Sequence, residues 1–260
     1  MIKDNYYLQT VLIATLIILS GCVKNFTCIH GNGDVIEETR NELPEFNRIE
    51  SSGSFEVEII IDTVYYVQII AESNLINIIE TKINNGKLQI DYMSNSCIEN
   101  NLPVLIKVHT PEVNSLNLSG SGLMIAHNIN TQNLDVNLSG SGNIEITADT
   151  KEVYLEISGS GNIIIDAESD YIEGKITGSG NIVTNGSTDR SKWIIIGSGN
   201  IFSSKMQQVK SECQIDGSGN ITVWASDELN VLINGSGNVI YTGEPELNAI
   251  INGSGIVIKG

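Results

Sequence analysis

From residue 116 onward apolar and polar positions alternate in short runs, and Gly-Ser-Gly restarts the alternation at a nearly fixed interval. The tripeptide begins at Gly120, Gly140, Gly159, Gly178, Gly197, Gly217, Gly235 and Gly253, giving spacings of 20, 19, 19, 19, 20, 18 and 18 residues. Two positions before each copy stands an apolar residue: Leu118, Leu138, Ile157, Ile176, Ile195, Ile215, Ile233 and Ile251. Four positions before, most are apolar or small: Leu116, Val136, Leu155, Gly174, Trp193, Cys213, Val231 and Ala249. Six before, Leu134, Val153, Ile172, Leu229 and Leu247 continue the series. A period of two marks a strand with one buried face. After the tripeptide a second alternation places Ile144 and Ile146, Ile163 and Ile165, Ile182 and Thr184, and Ile221 and Val223 on one face. β-Branched residues fill both runs, as a half-buried pleated surface favours.

Each repeat therefore reads as strand, Gly-Ser-Gly corner, strand and a polar loop that absorbs the variation in length. Such a unit cannot bury its apolar face alone, and stacking copies solves the problem. The expected fold is all-β: a right-handed parallel β-helix of about 19 residues per rung. Rungs spaced by about 4.8 Å would make eight of them a rod of roughly 35 Å. The corner needs either a positive φ or a close backbone approach, and glycine permits both. Stacking also aligns Asn143, Asn162, Asn181, Asn200, Asn220 and Asn238 in one column, where side-chain amides can hydrogen-bond from rung to rung. Leu123 and Ile256 take that position at the two ends, as end rungs with different neighbours would. A flexible Gly/Ser linker would not hold isoleucine in register eight times. A dinucleotide-binding loop wants a third glycine, and calcium-binding nonapeptides want an aspartate that these corners lack.

Before the repeats the chain divides into three parts. Residues 1–21, with Lys3 and an apolar run from Leu8 to Leu19, form an export signal too short for a transmembrane span. Leu19-Ser20-Gly21-Cys22 resembles a bacterial lipoprotein processing site, which implies cleavage before Cys22 and lipidation of its thiol. Residues 22–44 read as a polar tether. Residues 45–115 read as an irregular β-rich region covering the first rung of the helix at 116–260. Its strands are expected around Ser52–Ile59, Tyr65–Ile70, Lys87–Tyr92 and Pro103–Val108, with a hairpin at Asn85-Gly86. Leu75, Ile78 and Ile79 permit a short helix or an irregular turn. At the far end Lys259 could guard the last edge against strand addition, or that edge could pair with another copy.

The net charge of −17 argues against nucleic acid and bare anionic membrane as partners. The 41% hydrophobic content places the chain among globular proteins. Beyond Cys22 three cysteines remain: Cys213 falls in the inward column beside Trp193, and Cys28 and Cys97 could pair. No cysteine or histidine spacing suggests a metal, and no cofactor is expected. The outward positions before the corners carry only Glu156 and Lys175 as charged neighbours, and a surface ion pair accounts for them. Asp166, Asp189 and Asp227 are assigned to loops, and His30, His109 and His127 to positions outside the regular repeat. Ile194, Leu232 and Ile250 are outward and apolar, which makes them a candidate binding patch or a face covered by a loop or second subunit.

Ile49-Glu50-Ser51-Ser52-Gly53, the strand Phe55-Glu56-Val57, Asn85-Gly86 before Leu88 and the repeated Leu/Ile-Ser-Gly-Ser-Gly resemble a bacterial family, the putative auto-transporter adhesin, head GIN domain, over residues 45–260. The resemblance implies a β-helix, an envelope location and no catalytic residues. Two departures are the missing asparagine in the copies at Gly120 and Gly253 and Ile196 before Gly197. The expected function is a non-enzymatic, lipid-anchored outer-membrane protein, facing the surface or the periplasm, acting as an adhesin or interaction scaffold. Its partners would be the membrane through Cys22, a glycan or another envelope protein, with a homo-oligomer also open. The alternative is a β-helix that binds or degrades polysaccharide.

Overall fold

The computed structural model describes residues 28–93 and 97–260; the signal-like stretch and Cys22 lie outside them. The first strands are short: β1 (Ile29–His30), β2 (Val35–Arg40), β3 (Arg48–Ser51), β4 (Glu56–Ile61) and β5 (Tyr66–Glu72). A 3₁₀ turn at Ile76–Ile78 precedes β6 (Ile79–Asn84), β7 (Lys87–Tyr92), β8 (Ile98–Glu99), β9 (Leu105–Thr110) and β10 (Ser115–Leu118). Five long strands follow: β11 (Leu123–Leu138), β12 (Asn143–Ile157), β13 (Asn162–Ile176), β14 (Asn181–Ile195) and β15 (Asn200–Ile215). The chain closes with β16 (Ile221–Trp224), β17 (Glu228–Ile233), β18 (Val239–Thr242), β19 (Glu246–Ile251) and β20 (Val257–Lys259).

These strands wind a parallel β-helix. Each rung lies on the last with like over like: Ile144 on Ile163, Ile163 on Ile182, Ile182 on Ile201. One ladder runs β2·β5·β9·β4·β11·β12·β13·β14·β15·β16·β18·β20, and a second runs β6·β7·β3·β10·β11·β12·β13·β14·β15·β17·β19. The inward positions read from the alternation are buried through the middle of the rod, including Ile157, Ile176, Ile195 and Ile215.

The polar segment between the two alternations is not a loop. In β12 and β13 it stays in register, with Thr147 beside Asp166 and Asp149 beside Glu168, because a rung stacked on both sides offers backbone partners along most of its length. Asp166 and Asp189 thus lie within strands, as does His127. The two longer repeats absorb their extra residue as register shifts, one between Ala126 and Ile129 and one between Val183 and Asn185.

The corners show which property of glycine is needed. Positive φ among glycines occurs at Gly33, Gly86, Gly186 and Gly243, and at none of the corner copies. The cause is close approach: a Cβ on Gly159 would stand 2.6 Å from the carbonyl oxygen of Ser139 and nearer still to that of Gly140. The asparagine column forms as expected. Asn162 Nδ2 donates to Asn143 Oδ1 at 2.9 Å, and the chain of amides continues through Asn181, Asn200 and Asn220 to Asn238.

The N-terminal region does more than cover a rung. β3 and β4 flank a degenerate corner at Ser52-Gly53, and Gly120 packs against the Gly53 carbonyl as later copies pack on one another. Beneath lie β7 and β9, and the antiparallel strands β6, β5 and β2 then finish the two ladders. Asn85 and Gly86, with φ of 50° and 73°, close the β6–β7 hairpin.

From Cys28 on, the expected tether is folded onto this end. β2 pairs with β5, β1 pairs with β8, and a Cys28–Cys97 disulfide joins the two segments. Glu72, almost fully buried, binds them from below. Its carboxylate accepts from the backbone of Gly33 at 2.6 Å and of Asn101 at 2.8 Å. An acidic side chain that replaces lost solvent with backbone N–H donors holds otherwise polar sequence in place.

Two inward positions in the alternation before the corner are polar, Ser191 and Ser211, and they belong to a satisfied internal network. Gln208 Nε2 donates to Ser203 Oγ at 2.8 Å, while its Oε1 accepts from Trp193 Nε1 at 2.9 Å and from Ser191. Gly174 leaves room for the Trp193 ring, since a Cβ there would lie 2.6 Å from Cζ3. Cys213, fully buried, stacks beside Trp193, and burial pushes its thiol up to about 12.

Candidate interaction surface

Alternation sends every second side chain of the second ladder outward, and stacking lines these residues up in columns. One column runs Asn137, Glu156, Lys175, Ile194, Gln214, Leu232, Ile250. Leu232 and Ile250 are direct neighbours on successive rungs, whereas Gln214 separates Leu232 from Ile194. Ile194 and Leu232 are half-buried, and Ile250 is 62% exposed. The three expected patch residues are therefore one apolar pair near the end of the rod and one isolated isoleucine.

Ile250 continues into a second apolar surface that alternation alone does not reveal. The inward columns of β19 reach the last rung with nothing stacked on them among the described residues, so Leu247 and Ile251 are exposed. Lys259 is bound on this end by Glu244 at 2.6 Å.

The two neighbouring outward columns carry the chemistry. Glu152, Tyr171, Arg190, Lys210 and Glu228 stack in one, and Tyr154, Glu173, Lys192, Glu212 and Asn230 in the other. Tyr154 donates its hydroxyl to Glu152 and Tyr171 to Glu173, each at 2.8 Å, and the two rings meet edge to face at 5.9 Å. Both phenols are held protonated to unusually high pH, Tyr154 first by its bond to Glu152 and Tyr171 first by burial. Lys175 is paired with Glu156 at 2.9 Å, the surface ion pair expected there. Lys210 is paired with Glu228 at 3.1 Å, a hydrogen bond that raises the pKa of the amine. The Arg190 guanidinium lies 5.6 Å from the centre of the Tyr171 ring. Among the described residues neither Arg190 nor Lys192 has a carboxylate at ion-pair distance.

A second polar cluster sits at the N-terminal end. His109 Nδ1 lies 3.0 Å from Asp62 Oδ2, and the imidazole stacks on Tyr66 at 3.9 Å. The backbone N–H of Thr63 and then the His109 contact hold the Asp62 carboxyl below its ordinary range. The buried Nε2 of His109 faces no polar partner, so this is a pair without a third group to accept or relay a proton. Among the described residues no three His, Cys, Asp or Glu side chains are placed to hold a metal. An open polar depression of about 560 Å³ is bounded by Arg48, Glu112, Thr131 and Asp135.

Residues 45–164 and 147–245 each match the family model described as "Putative auto-transporter adhesin, head GIN domain". No curated protein matches the chain. Among solved structures, it is similar to a putative adhesin from Parabacteroides distasonis ATCC 8503, with a TM-score of 0.85 and 21% identity, covering 89% of this chain and 99% of that one. A putative adhesin from Parabacteroides merdae ATCC 43184 gives a TM-score of 0.84 at 21% identity, over 89% and 98% of the two chains. A protein from Parabacteroides distasonis ATCC 8503 named putative lipid binding protein gives 0.80 at 28% identity, over 90% and 100%.

Proposed function

Given that this chain belongs to the family of putative auto-transporter adhesins, head GIN domain, we propose that it is a non-enzymatic, lipid-anchored protein of the cell envelope, acting as an adhesin or interaction scaffold. The observation that carries this reading is the division of the rod into a packed, uniform interior and a varied outer ladder. The inward columns leave side chains such as Ile163, Ile182, Ile201 and Ile221 with no exposed surface, so the interior offers no chamber for a substrate. The outer columns change chemistry at each rung while the backbone beneath them keeps its pairing. That arrangement suits display on a stiff support better than turnover.

The anchor rests on Leu19-Ser20-Gly21-Cys22. Its test is Cys22→Ala in the full chain: the parent should partition with outer membranes and incorporate labelled fatty acid, and the variant should do neither. Protease added to intact cells then separates the orientations, since a surface-facing rod is cleaved and a periplasmic one is shielded. Release of reducing ends from a polysaccharide by the purified protein would replace the scaffold reading with an enzymatic one.

The neighbour named as lipid binding raises a second ligand class. The filled interior argues that any acyl chain on this protein would lie at the exposed Leu247–Ile251 edge and not inside the helix.

A further inference from the structure

We propose that the outward face around Tyr171, Arg190 and Lys192 binds a carboxylate-bearing saccharide, such as a polyuronate chain. This assigns a ligand to the adhesion reading and rests on it for the biological setting, while the binding itself belongs to the isolated protein.

Charge is distributed against the chain's composition here. The chain has 31 acidic and 14 basic residues, yet Lys175, Arg190, Lys192 and Lys210 gather on three successive rungs of one ladder. Two of these cations lie directly opposite each other, Arg190 on Lys210. Like charges at such cross-strand positions oppose pairing. The other stacked cations, Arg48 and Lys87, are relieved because Glu50 takes Lys87 and the Asn85 carbonyl takes Arg48. Lys210 is relieved by Glu228 and Asp227. Among the described residues Arg190 has no carboxylate at ion-pair distance, and Lys192, two residues along on the same face, stands in register between Glu173 and Glu212 with neither at ion-pair distance. A guanidinium with a free fork beside an ammonium is suited to a carboxylate supplied from outside, because the fork can meet both oxygens at once.

Aromatic geometry then selects among anions. Tyr171 lies against Arg190, and Tyr154, 38% exposed, stands one rung below in an edge-to-face contact with Tyr171. Both hydroxyls are already tied to glutamates, which fixes the rings and leaves apolar surface beside the cations. Rigid tyrosine surface beside arginine is a combination that binding faces favour. A sugar ring presents C–H surface to the tyrosines while its carboxylate reaches the cations. Inorganic phosphate would use the cations and ignore the rings. A shallow groove of about 220 Å³ is lined by Tyr171, Arg190, Lys192 and Lys210 and also by Glu212 and Glu228, of which Glu228 is already held by Lys210.

The test is affinity electrophoresis and calorimetry of the purified full chain in detergent, with polygalacturonate, neutral dextran and dextran sulfate as probes. Polygalacturonate should retard the protein, dextran should not, and added salt should weaken the interaction. R190Q with K192Q should weaken polygalacturonate binding by about tenfold or more, as expected for loss of charge-assisted hydrogen bonds. Y171A should weaken it while Y171F does not, because the ring and not the hydroxyl is used. The thermal midpoint of the R190Q/K192Q variant should match the parent, which separates lost binding from lost folding. Three results would each overturn the proposal: no retardation by polygalacturonate, equal binding by parent and R190Q/K192Q, or binding of dextran sulfate with none of polygalacturonate. None of these depends on where the protein resides, so their failure is distinct from failure of the localisation tests.

Discussion

Substituting one corner glycine tests the architecture at its tightest point, and Gly159→Ala is the most informative choice. Gly159 sits mid-rod with rungs above and below. Its added methyl would meet the Ser139 carbonyl oxygen at 2.6 Å and overlap that of Gly140 more severely. Both atoms are backbone, so no side chain can swing away. The neighbouring rung must retreat, and the bonds received by Gly140 from Ser160 at 3.0 Å and from Gly161 at 3.3 Å must lengthen. Overpacking of this kind costs about 1–3 kcal/mol. Losing two backbone bonds adds about 1 kcal/mol each, for roughly 3–5 kcal/mol together. Urea denaturation read by tryptophan fluorescence reports it, because Trp193 is wholly buried in the same stack. Gly33→Ala is the control: its φ is +76° and nothing lies within 4 Å, so it carries backbone strain alone, about 1–2 kcal/mol. A Gly159→Ala protein within about 1 kcal/mol of the parent, an ordinary surface-substitution effect, would refute close approach as the reason for the corner.

Three further outcomes follow from the same geometry. Asn181→Ala leaves the amides of Asn162 and Asn200 without a shared partner and should cost about 1–3 kcal/mol by denaturation, with Asn143→Ala at the ladder's end costing less. Replacing Cys28 and Cys97 by serine opens a loop with a sequence separation of 69, worth about 4 kcal/mol by chain entropy, and hydrogen exchange should show the loss concentrated in β1 and β2. Burial pushes the Glu72 carboxyl upward, but the N–H groups of Gly33, Asn101 and Leu102 together outweigh it and leave the pKa lowered. Its contribution to stability is therefore complete above the ordinary carboxylate value near 4.5 and is lost as pH falls through the lower folded value. Glu72→Gln should flatten that acid limb in a melting-temperature series, and an unchanged acid limb would refute the assignment.

How far the alphabet discloses this molecule depends on which constraint a position obeys. The inward isoleucines and the asparagine column were legible because every rung imposes the same demand at the same offset, so one residue type recurs. The Ser52-Gly53 corner escaped because it meets the same packing demand with different residues at a break in the period. The strand character of the polar segment was hidden for another reason. Its pairing comes from the rungs above and below, and local propensity carries no record of it. Residues 28–44 looked like a tether because their composition is polar, while their order comes from Glu72, the disulfide and β5, all distant in sequence. Ser191 and Ser211 interrupt the apolar column six residues before the corner, and the partner that explains them, Gln208, lies in the polar segment where the alternation gives no signal. Arg190 and Lys210, 20 residues apart, become neighbours only once the register of β14 on β15 is known.

The same geometry explains why function in such a rod must be sought on its outward columns. An inward position is answerable to a rung on each side and to the opposite ladder, so a polar change there has to be compensated within the stack, as Gln208 is by Ser203, Ser191 and Trp193. An outward position answers mainly to the residues one rung away, and a mismatch there can persist if water or a partner relieves it. Unrelieved cations on that surface are therefore informative in a way that acidic neighbours are not. In a chain of net charge −17, stacked acids such as Asp149 and Glu168 are a consequence of composition, but an arginine opposite a lysine, with no carboxylate at ion-pair distance among the described residues, runs against it. The interior makes the rod stiff whatever the outer residues are. On the proposed reading, a ligand would be chosen by the few rungs where those residues depart from the chain's prevailing charge.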